Sequence, residues 1–478
     1  MRYFFLVYFW GLPLLVFSQK KLSVEDIIQL SEENSVDAKQ AERQAQISYW
    51  LYRFHQSNNK PRFILNGELP NLNRTIIPVT QNDGSETFRE RSLATSQLDI
   101  SLLQNIAPTG GTFFASSQLN RIDIFGTPNT TSYLSYPVLV GVRQPVGHFN
   151  QLKWANKIEP LRFIESRKKY REELEISKIK GIRLFFALLL AQENVAMNTL
   201  QKANADTLLI LAKNRFSVGK ITENELLRNE INALQAEQAL AQATNEYFFA
   251  KRQLQIFLET TEDITLTIPK GLAENIHINE DLALEQVRQN SSKALALQRR
   301  IIEADKELSQ AKANAGLKMD ITLSFGLSRS ANDIRNVYTR LQDQENARIS
   351  FQIPILDWQR GKAEVKIATI QKQYAQIQAE QELLNLELEL SKQIKDWQLA
   401  KKQWIIAEKA KNIAEKSYQL TLQDYQNGFT TITELDKAFI AKNLALQNYL
   451  RQLEILWTGY YTIRGLTLYD FEKNTPLK

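Results

Sequence analysis

Cysteine is absent from the 478 residues of this chain, and proline and glycine are scarce. The absence of cysteine excludes disulfides, thiolate zinc sites and a cysteine nucleophile. We therefore also expect no lipid anchor on an N-terminal cysteine. No proline lies between Pro160 and Pro269 or between Pro354 and Pro476. Proline-free stretches of about a hundred residues that are rich in Ala, Gln, Glu, Leu and Lys are typical of long helices.

Residue patterns that support catalysis or metal binding are also missing. His55, His148 and His277 lie far apart in the sequence, each in a different predicted element, so we expect no metal site from them. No GxGxxG, P-loop, GxSxG or HExxH motif occurs. The formal net charge of +6 is spread along the chain, without the basic block that nucleic-acid binding needs. We therefore predict that the protein is not an enzyme, uses no cofactor and binds no nucleic acid.

The N-terminus has the pattern of an export signal. Arg2 precedes an apolar run from Tyr3 to Phe17, and Val16 and Ser18 suit the −3 and −1 positions of a cut after Ser18. The run is shorter than the roughly 20 residues of a transmembrane helix. Residues 1–18 are therefore predicted to be a signal peptide. The mature chain is expected either to be soluble in the periplasm or to cross an outer membrane as strands.

The remaining sequence alternates between helical and strand patterns. Helices are predicted over residues 22–59, 151–214, 222–258, 279–315 and 359–423, and again from the break after 423 to about 461. Alternating strands are predicted around residues 98–102, 138–142, 321–328 and 348–353, with polar loop over 71–92. Pro108-Thr109-Gly110-Gly111 predicts a turn between two strands. Whether that hairpin joins the same sheet decides between four and six strands per chain.

Landmarks of the first half recur in the second half at a fixed offset. Three pairs of segments lie 209 residues apart: 142–145 with 351–354, 216–219 with 425–428, and 225–226 with 434–435. Asn34-Ser35 and Asn290-Ser291 recur at an offset of 256, because the first strand region is about 47 residues longer. This recurrence indicates an internal duplication. The first repeat is predicted over 19–270 and the second over 271–478.

The predicted helix over 151–214 needs other long helices as partners, because at 1.5 Å per residue it is about 95 Å long. Residues spaced alternately by 3 and 4 along the predicted helix over 359–423 form a mostly apolar heptad seam: Ile367, Ile370, Tyr374, Ile377, Gln381, Leu384 and Leu388. Periodicity alone fits a closed cylinder of helices and an antiparallel coiled coil equally well. The amphipathic strands, too few for a sandwich, favour a wall between lipid and water that several copies close.

These motifs resemble those of the TolC family of outer-membrane efflux ducts. The similar segments are the helix tips at 215–219 and 425–428 and the strand-to-helix junctions at 144–145 and 353–358. The resemblance implies a mixed α/β membrane protein. In it, a homotrimer closes an outer-membrane β-barrel that continues as a long periplasmic α-helical barrel.

The same resemblance implies a passive exit duct of a tripartite efflux or type I secretion system. Its partners would be a periplasmic adaptor, an inner-membrane pump and outer-membrane lipid. The pump could be of the RND class, the ABC class or another, and the sequence does not identify the cargo. A periplasmic coiled-coil scaffold without a pore is the alternative hypothesis.

The resemblance also assigns candidate site residues. The periplasmic gate comprises Tyr425, Glu434 and Glu225, and three copies of Glu434 would form an acidic ring that favours cations. The adaptor-contacting tips comprise Val218, Gly219, Lys220, Asn427, Gly428 and Phe429. A helical hairpin also favours glycine at its turn for conformational reasons alone.

Three positions depart from the best-known family pattern. Thr430 stands in place of an arginine, Asn224 in place of a threonine and Lys437 in place of an aspartate. The arginine that would lock acidic residues of a neighbouring chain is therefore missing. Glu434 and Lys437 are spaced i,i+3, as in a local helix salt bridge.

Overall fold

The computed structural model describes residues 20–126, 128–269, 276–427 and 429–477. The predicted signal peptide and Gly428 lie outside the described residues. The chain divides into two compact units. The helical unit comprises the described parts of 1–45, 167–294 and 384–478, and the sheet unit comprises those of 46–166 and 295–383.

The described elements are mainly long helices and long strands. The helices are α1 Val24–Glu33, α2 Val36–Ser57, α3 Gln151–Ser217, α4 Glu223–Phe257, α5 Glu280–Asn290, α6 Ser292–Ala315, α7 Arg360–Gln426 and α8 Ile432–Thr467. The strands are β1 Lys20–Leu22, β2 Arg62–Thr80, β3 Glu86–Ile106, β4 Gly111–Phe125, β5 Thr130–Val146, β6 Ile264–Leu266, β7 Lys318–Ala331, β8 Gln342–Gln352, β9 Tyr469–Asp470 and β10 Thr475–Pro476. Within the described ranges, no helix combines the length and the apolar character that a membrane span requires.

Six strands of the sheet unit form one antiparallel sheet in the order β2-β3-β4-β5-β7-β8. The register places Val142 beside Leu323, whereas the next row aligns Arg143 with Thr322 and Arg348. Because neighbouring residues of a strand point to opposite faces, one face of the sheet is apolar and the other is polar. The predicted strand amphipathicity is therefore confirmed.

The prediction of a polar loop over 71–92 is wrong. These residues continue β2 and β3, which pair from Asn71 with Thr95 to Thr80 with Glu86. A short turn closes the hairpin, with the amide of Gln81 donating to the carbonyl of Ser85 at 2.7 Å. β2 is exposed on both faces along most of its length, so it lacks the alternation that marks a half-buried strand.

The structure also determines the number of strands that each chain contributes to the sheet, which is six. The turn predicted at 108–111 joins β3 to β4, and both strands pair within the six-stranded sheet. The first half of the chain thus contributes four strands to this sheet and the second half two.

The two helices predicted over 22–59 and 279–315 are each interrupted. The breaks fall at the recurring Asn-Ser pairs, between α1 and α2 and between α5 and α6. The side chain of Ser35 accepts from the amide of Ala38 at 3.0 Å and contacts the Ser177 hydroxyl at 2.7 Å. A serine side chain that binds backbone groups competes with the regular helix ladder. At the start of α1, Ser23 and Asp26 form a reciprocal capping box.

The helical unit encloses an apolar core with a buried cluster of charges beside it. Phe185 and Phe186 are fully buried in the core. The guanidinium of Arg464 lies over the ring of Tyr461, another core residue, at 4.9 Å. It donates to Glu175 at 3.3 Å and to Asp470 at 3.2 Å. All three charged side chains are largely buried. The cluster fixes the C-terminal segment, because Asp470 belongs to β9, which pairs with β10.

Candidate functional site

The first candidate site is tip 1, the turn of residues 218–222 between α3 and α4. The amide of Lys220 donates to the carbonyl of Arg215 at 2.9 Å, and Gly219 has a φ of +72°. This is the hydrogen bond that closes a helix with a left-handed residue after its last turn. Among the described residues other than its chain neighbours, no atom lies within 4 Å of the position that a Cβ of Gly219 would take. The backbone conformation, rather than crowding, therefore favours glycine here.

The start of α4 is fixed by a reciprocal capping box. The amide of Glu225 donates to the hydroxyl of Thr222 at 3.3 Å, and the amide of Thr222 donates to the Glu225 carboxylate at 3.1 Å. Two amides that have no partner in the helix ladder are satisfied in this way. The carboxylate of Glu225, a predicted gate residue, is thus bound to the backbone of its own tip.

The second candidate site is tip 2, the turn of residues 427–431 between α7 and α8. The amide of Phe429 donates to the carbonyl of Asp424 at 2.8 Å. Both partners lie 209 residues beyond those of the closing bond in tip 1, so the same hydrogen bond recurs in tip 2. The amide of Glu434 donates to the hydroxyl of Thr431 at 3.4 Å, which repeats half of the capping box.

The two tips differ in what their acidic residues bind. The Oε1 atom of Glu434 lies 2.9 Å from the Nζ atom of Lys437, one turn along α8. The i,i+3 salt bridge predicted from the sequence is therefore present. Both side chains are more than half exposed, so the pair adds little to stability. It does, however, place a positive charge beside the predicted acidic ring.

Large apolar side chains are exposed at both tips. Val218 is 65% exposed and Phe429 is 82% exposed, although apolar side chains of this size are usually buried. Beneath tip 2, the buried ring of Phe439 packs on Tyr418 of α7 at 5.8 Å. This contact joins the two helices next to the turn and leaves Phe429 free to meet another surface.

The structure places the predicted site residues in two separate turns. Val218, Gly219 and Lys220 share tip 1, whereas Asn427 and Phe429 share tip 2 and Gly428 lies outside the described residues. Tyr425 is the penultimate residue of α7 and is 37% exposed.

The sequence predictions omitted the threonine caps of both tips. Their signal is the Thr-x-x-Glu pattern at 222–225 and at 431–434, which is a capping-box pattern. Each acidic residue assigned to the gate is therefore also the third residue of a capped helix.

Residues 283–454 match the sequence model of the outer membrane efflux protein family. They form an outer membrane efflux protein domain. A curated relative, the probable outer membrane lipoprotein SilC of Salmonella typhimurium, is 29% identical over 165 residues. That match covers 33% of this chain and 34% of SilC, so the chain spans about a third of the length of this relative.

Solved outer-membrane channels share the fold. The channel CmeC of Campylobacter jejuni matches with a TM-score of 0.66 and 13% identity, over 94% of this chain and 88% of CmeC. CusC matches with a TM-score of 0.61 and 14% identity, over 94% of this chain and 92% of CusC. The open-state MtrE channel of Neisseria gonorrhoeae matches with a TM-score of 0.62 and 13% identity, over 93% of this chain and 88% of MtrE.

The matched domain and the shared fold agree with the predicted resemblance to outer-membrane efflux channels and with the predicted outer-membrane location. The matched family is described as outer membrane efflux proteins, and the similar solved structures are channels. Tip 2 lies within the matched residues 283–454, whereas tip 1 lies outside them.

Proposed function

We propose that three copies of this chain form a passive outer-membrane exit duct that works with a periplasmic adaptor and an inner-membrane pump. The observation that carries this proposal is the open six-stranded sheet, which has one apolar face, one polar face and two free edges. A sheet of this kind is incomplete in a single chain, because exposed edges present unpaired backbone groups.

The free edges are suited to pairing between copies. β2 and β8 end the strand order, and within the described residues each pairs with one neighbour only. Successive strands alternate in direction through six positions, so β8 of one copy runs antiparallel to β2 of the next. Continuous antiparallel pairing can therefore close a ring without a break.

The faces of the sheet suit a wall between lipid and water. Phe63, Leu65, Leu323 and Phe351 lie on the apolar face and are each more than half exposed. Three copies of a six-stranded sheet make an eighteen-stranded barrel, and porins of about 16–18 strands enclose a water-filled channel. The polar row of Arg143, Thr322 and Arg348 would then line the lumen.

The tips are proposed to carry the gate and the adaptor contacts. The exposed Val218 and Phe429 offer apolar contacts to an adaptor, and the closing turns hold them in fixed positions. Glu434, Glu225 and Tyr425 are proposed to narrow the lumen, and Lys437 is proposed to offset the charge of an acidic ring. We expect Glu434→Ala to raise single-channel conductance, whereas unchanged conductance would exclude a constriction at this residue.

The repeated element order supports an internal duplication, with 19–270 and 271–478 as the two repeats. The first repeat has two further strands in the sheet. We propose that this added hairpin widens the wall contributed by each chain.

Membrane fractionation and planar-bilayer recording test the proposed function. The duct requires detergent for extraction, and the purified particle should open ion-conducting channels in a lipid bilayer. A mature chain that stays soluble and monomeric without detergent, and that never conducts, would refute the duct and favour the coiled-coil scaffold.

A further inference from the structure

We infer that an apolar stripe on α2 packs against an apolar stripe on α7 of a second copy, next to the paired sheet edges. The inference rests on the proposed trimer and identifies the helix surfaces by which its copies recognise each other. Both stripes belong to the sheet unit, and each lies on a helix directly connected to an edge strand.

The first stripe follows α2. Ile47, Trp50, Leu51 and Phe54 are spaced i, i+3, i+4 and i+7, which places them on one side of the helix. All four are more than half exposed, at 52%, 67%, 59% and 68%. The other side of α2 is covered within the chain, where Tyr52 stacks on a phenylalanine of α3 at 4.7 Å. Among the residues that the structure describes, nothing buries this exposed apolar side in a single copy.

The second stripe follows the start of α7. Ile367, Ile370, Tyr374 and Ile377 are 56%, 52%, 61% and 66% exposed. The opposite side of this helix faces α6, with Ala368 and Ala379 buried and Lys372 paired with Asp305 at 2.6 Å. Water is a poor environment for four apolar side chains in a row on each of two helices.

The register of the sheet determines which helices meet. Arg62 at the start of β2 aligns with the end of β3, and Gln352 at the end of β8 aligns with the start of β7. Alternating strand directions therefore place the start of β2 and the end of β8 at the same end of the sheet. When β8 of one copy pairs with β2 of the next, α7 of the first copy must leave the sheet beside α2 of the second.

The two stripes also lie at matching distances from the helix ends that are connected to the edge strands. Ile47 is ten residues before the end of α2 and Ile370 is ten residues after the start of α7, so each lies about 15 Å along its helix. Trp50 and Ile367 are each seven residues from the same helix ends, or about 10 Å. Neighbouring helices pack at about 8–10 Å between axes, so these side chains would interdigitate.

Cross-linking between differently tagged copies tests the inference. The chain has no cysteine, so one copy can carry only Ile47→Cys and the other only Ile370→Cys. Both are produced in the same cells and treated with a short bis-maleimide reagent. We expect a covalent dimer that contains both tags. The control replaces Ile370→Cys by Gln371→Cys, which is exposed and turned about 100° around the helix, and it should cross-link several-fold less.

The outcomes separate this inference from the proposed function. Equal or absent cross-linking at 370 and 371 in a particle that has the mass of a trimer would overturn the α2–α7 contact and leave the duct in place. Quenching of a fluorophore at position 370 by brominated lipid would likewise overturn it, because lipid rather than a second copy would then cover the stripe. A particle with the mass of a monomer would refute the trimer itself.

Discussion

Replacing the buried arginine of the helical unit tests how the C-terminal segment is held. Arg464 donates to both Glu175 and Asp470, and its side chain is only 11% exposed. Arg464→Met keeps the length and the apolar stem but removes the charge. Glu175 retains Lys178 at 2.8 Å, whereas Asp470 loses its only cation among the described residues.

The expected loss of stability follows from the fact that Asp470, unlike Glu175, is left without a cation. Breaking a buried ion pair destabilises a protein by about 3–5 kcal/mol, because a charge stays buried without compensation. Tyr460 and two backbone amides still donate to Asp470, so we expect about 3 kcal/mol, at the lower end of that range. At about 1.4 kcal/mol per tenfold change, local opening of residues 469–477 becomes roughly 100-fold more frequent.

Hydrogen exchange measures this opening directly. The amide of Leu477, which donates to the carbonyl of Leu468 at 2.9 Å, should exchange about 100-fold faster in Arg464→Met, by the conversion above. The matched control is Arg451→Met, because Arg451 is an exposed arginine on the same helix. Exchange in Arg464→Met that stays within a few-fold of the unsubstituted chain would show that the buried cluster does not hold this segment.

Four further results are expected. Lys437→Gln should shift the reversal potential toward cation selectivity, since it leaves the carboxylate beside it unpaired; an unchanged potential would show that this pair does not face the conducting path. Thr222→Ala should destabilise the first turn of α4 by about 0.5–2 kcal/mol, seen as faster amide exchange at tip 1; unchanged exchange would mean that the cap is dispensable. Leu323→Lys on the apolar face should lower the yield of membrane-inserted protein, because a cation costs about 2–4 kcal/mol at the bilayer midplane, whereas Thr322→Lys on the polar face should be tolerated; equal losses would contradict the assignment of the faces. Burial raises the pKa of Asp470, but the nearby guanidinium and the hydrogen bonds from backbone amides and a tyrosine outweigh burial, so the pKa lies below the usual value. The stability that Asp470 contributes is therefore complete above the unfolded pKa of about 3.9 and is lost as the pH falls below that value. Amide exchange of the C-terminal segment should accordingly become faster between pH 6 and about pH 3, after correction for the intrinsic exchange rate.

The sequence predicted correctly those features that depend on residues close together in the chain, such as long helices and pairs one turn apart. The predicted long helices are present, and α3 and α7 each run for 67 residues, although α3 contains Pro160 near its start. The pairing of Glu434 with Lys437 follows from helical spacing alone. The Thr-x-x-Glu pattern at both tips also indicates the helix caps, although the turns themselves were predicted from their glycines.

Other features depend on contacts that no local pattern encodes. The strands over 71–92 look polar because both of their faces are exposed, so burial imposes no alternation. The breaks at the recurring Asn-Ser pairs arise because serine side chains bind backbone groups in place of the helix ladder. Arg464 and Glu175 are 289 residues apart in the sequence, and only the folded helical unit brings them together.

The number of chains in the detergent-extracted particle tests the central proposal most directly. An open sheet with free β2 and β8 edges is completed by copies of itself, and the proposed duct contains three. Native mass spectrometry of the mature protein should therefore give three times the mass of one chain. A stable particle with the mass of a single chain would contradict closure of the sheet by neighbouring copies.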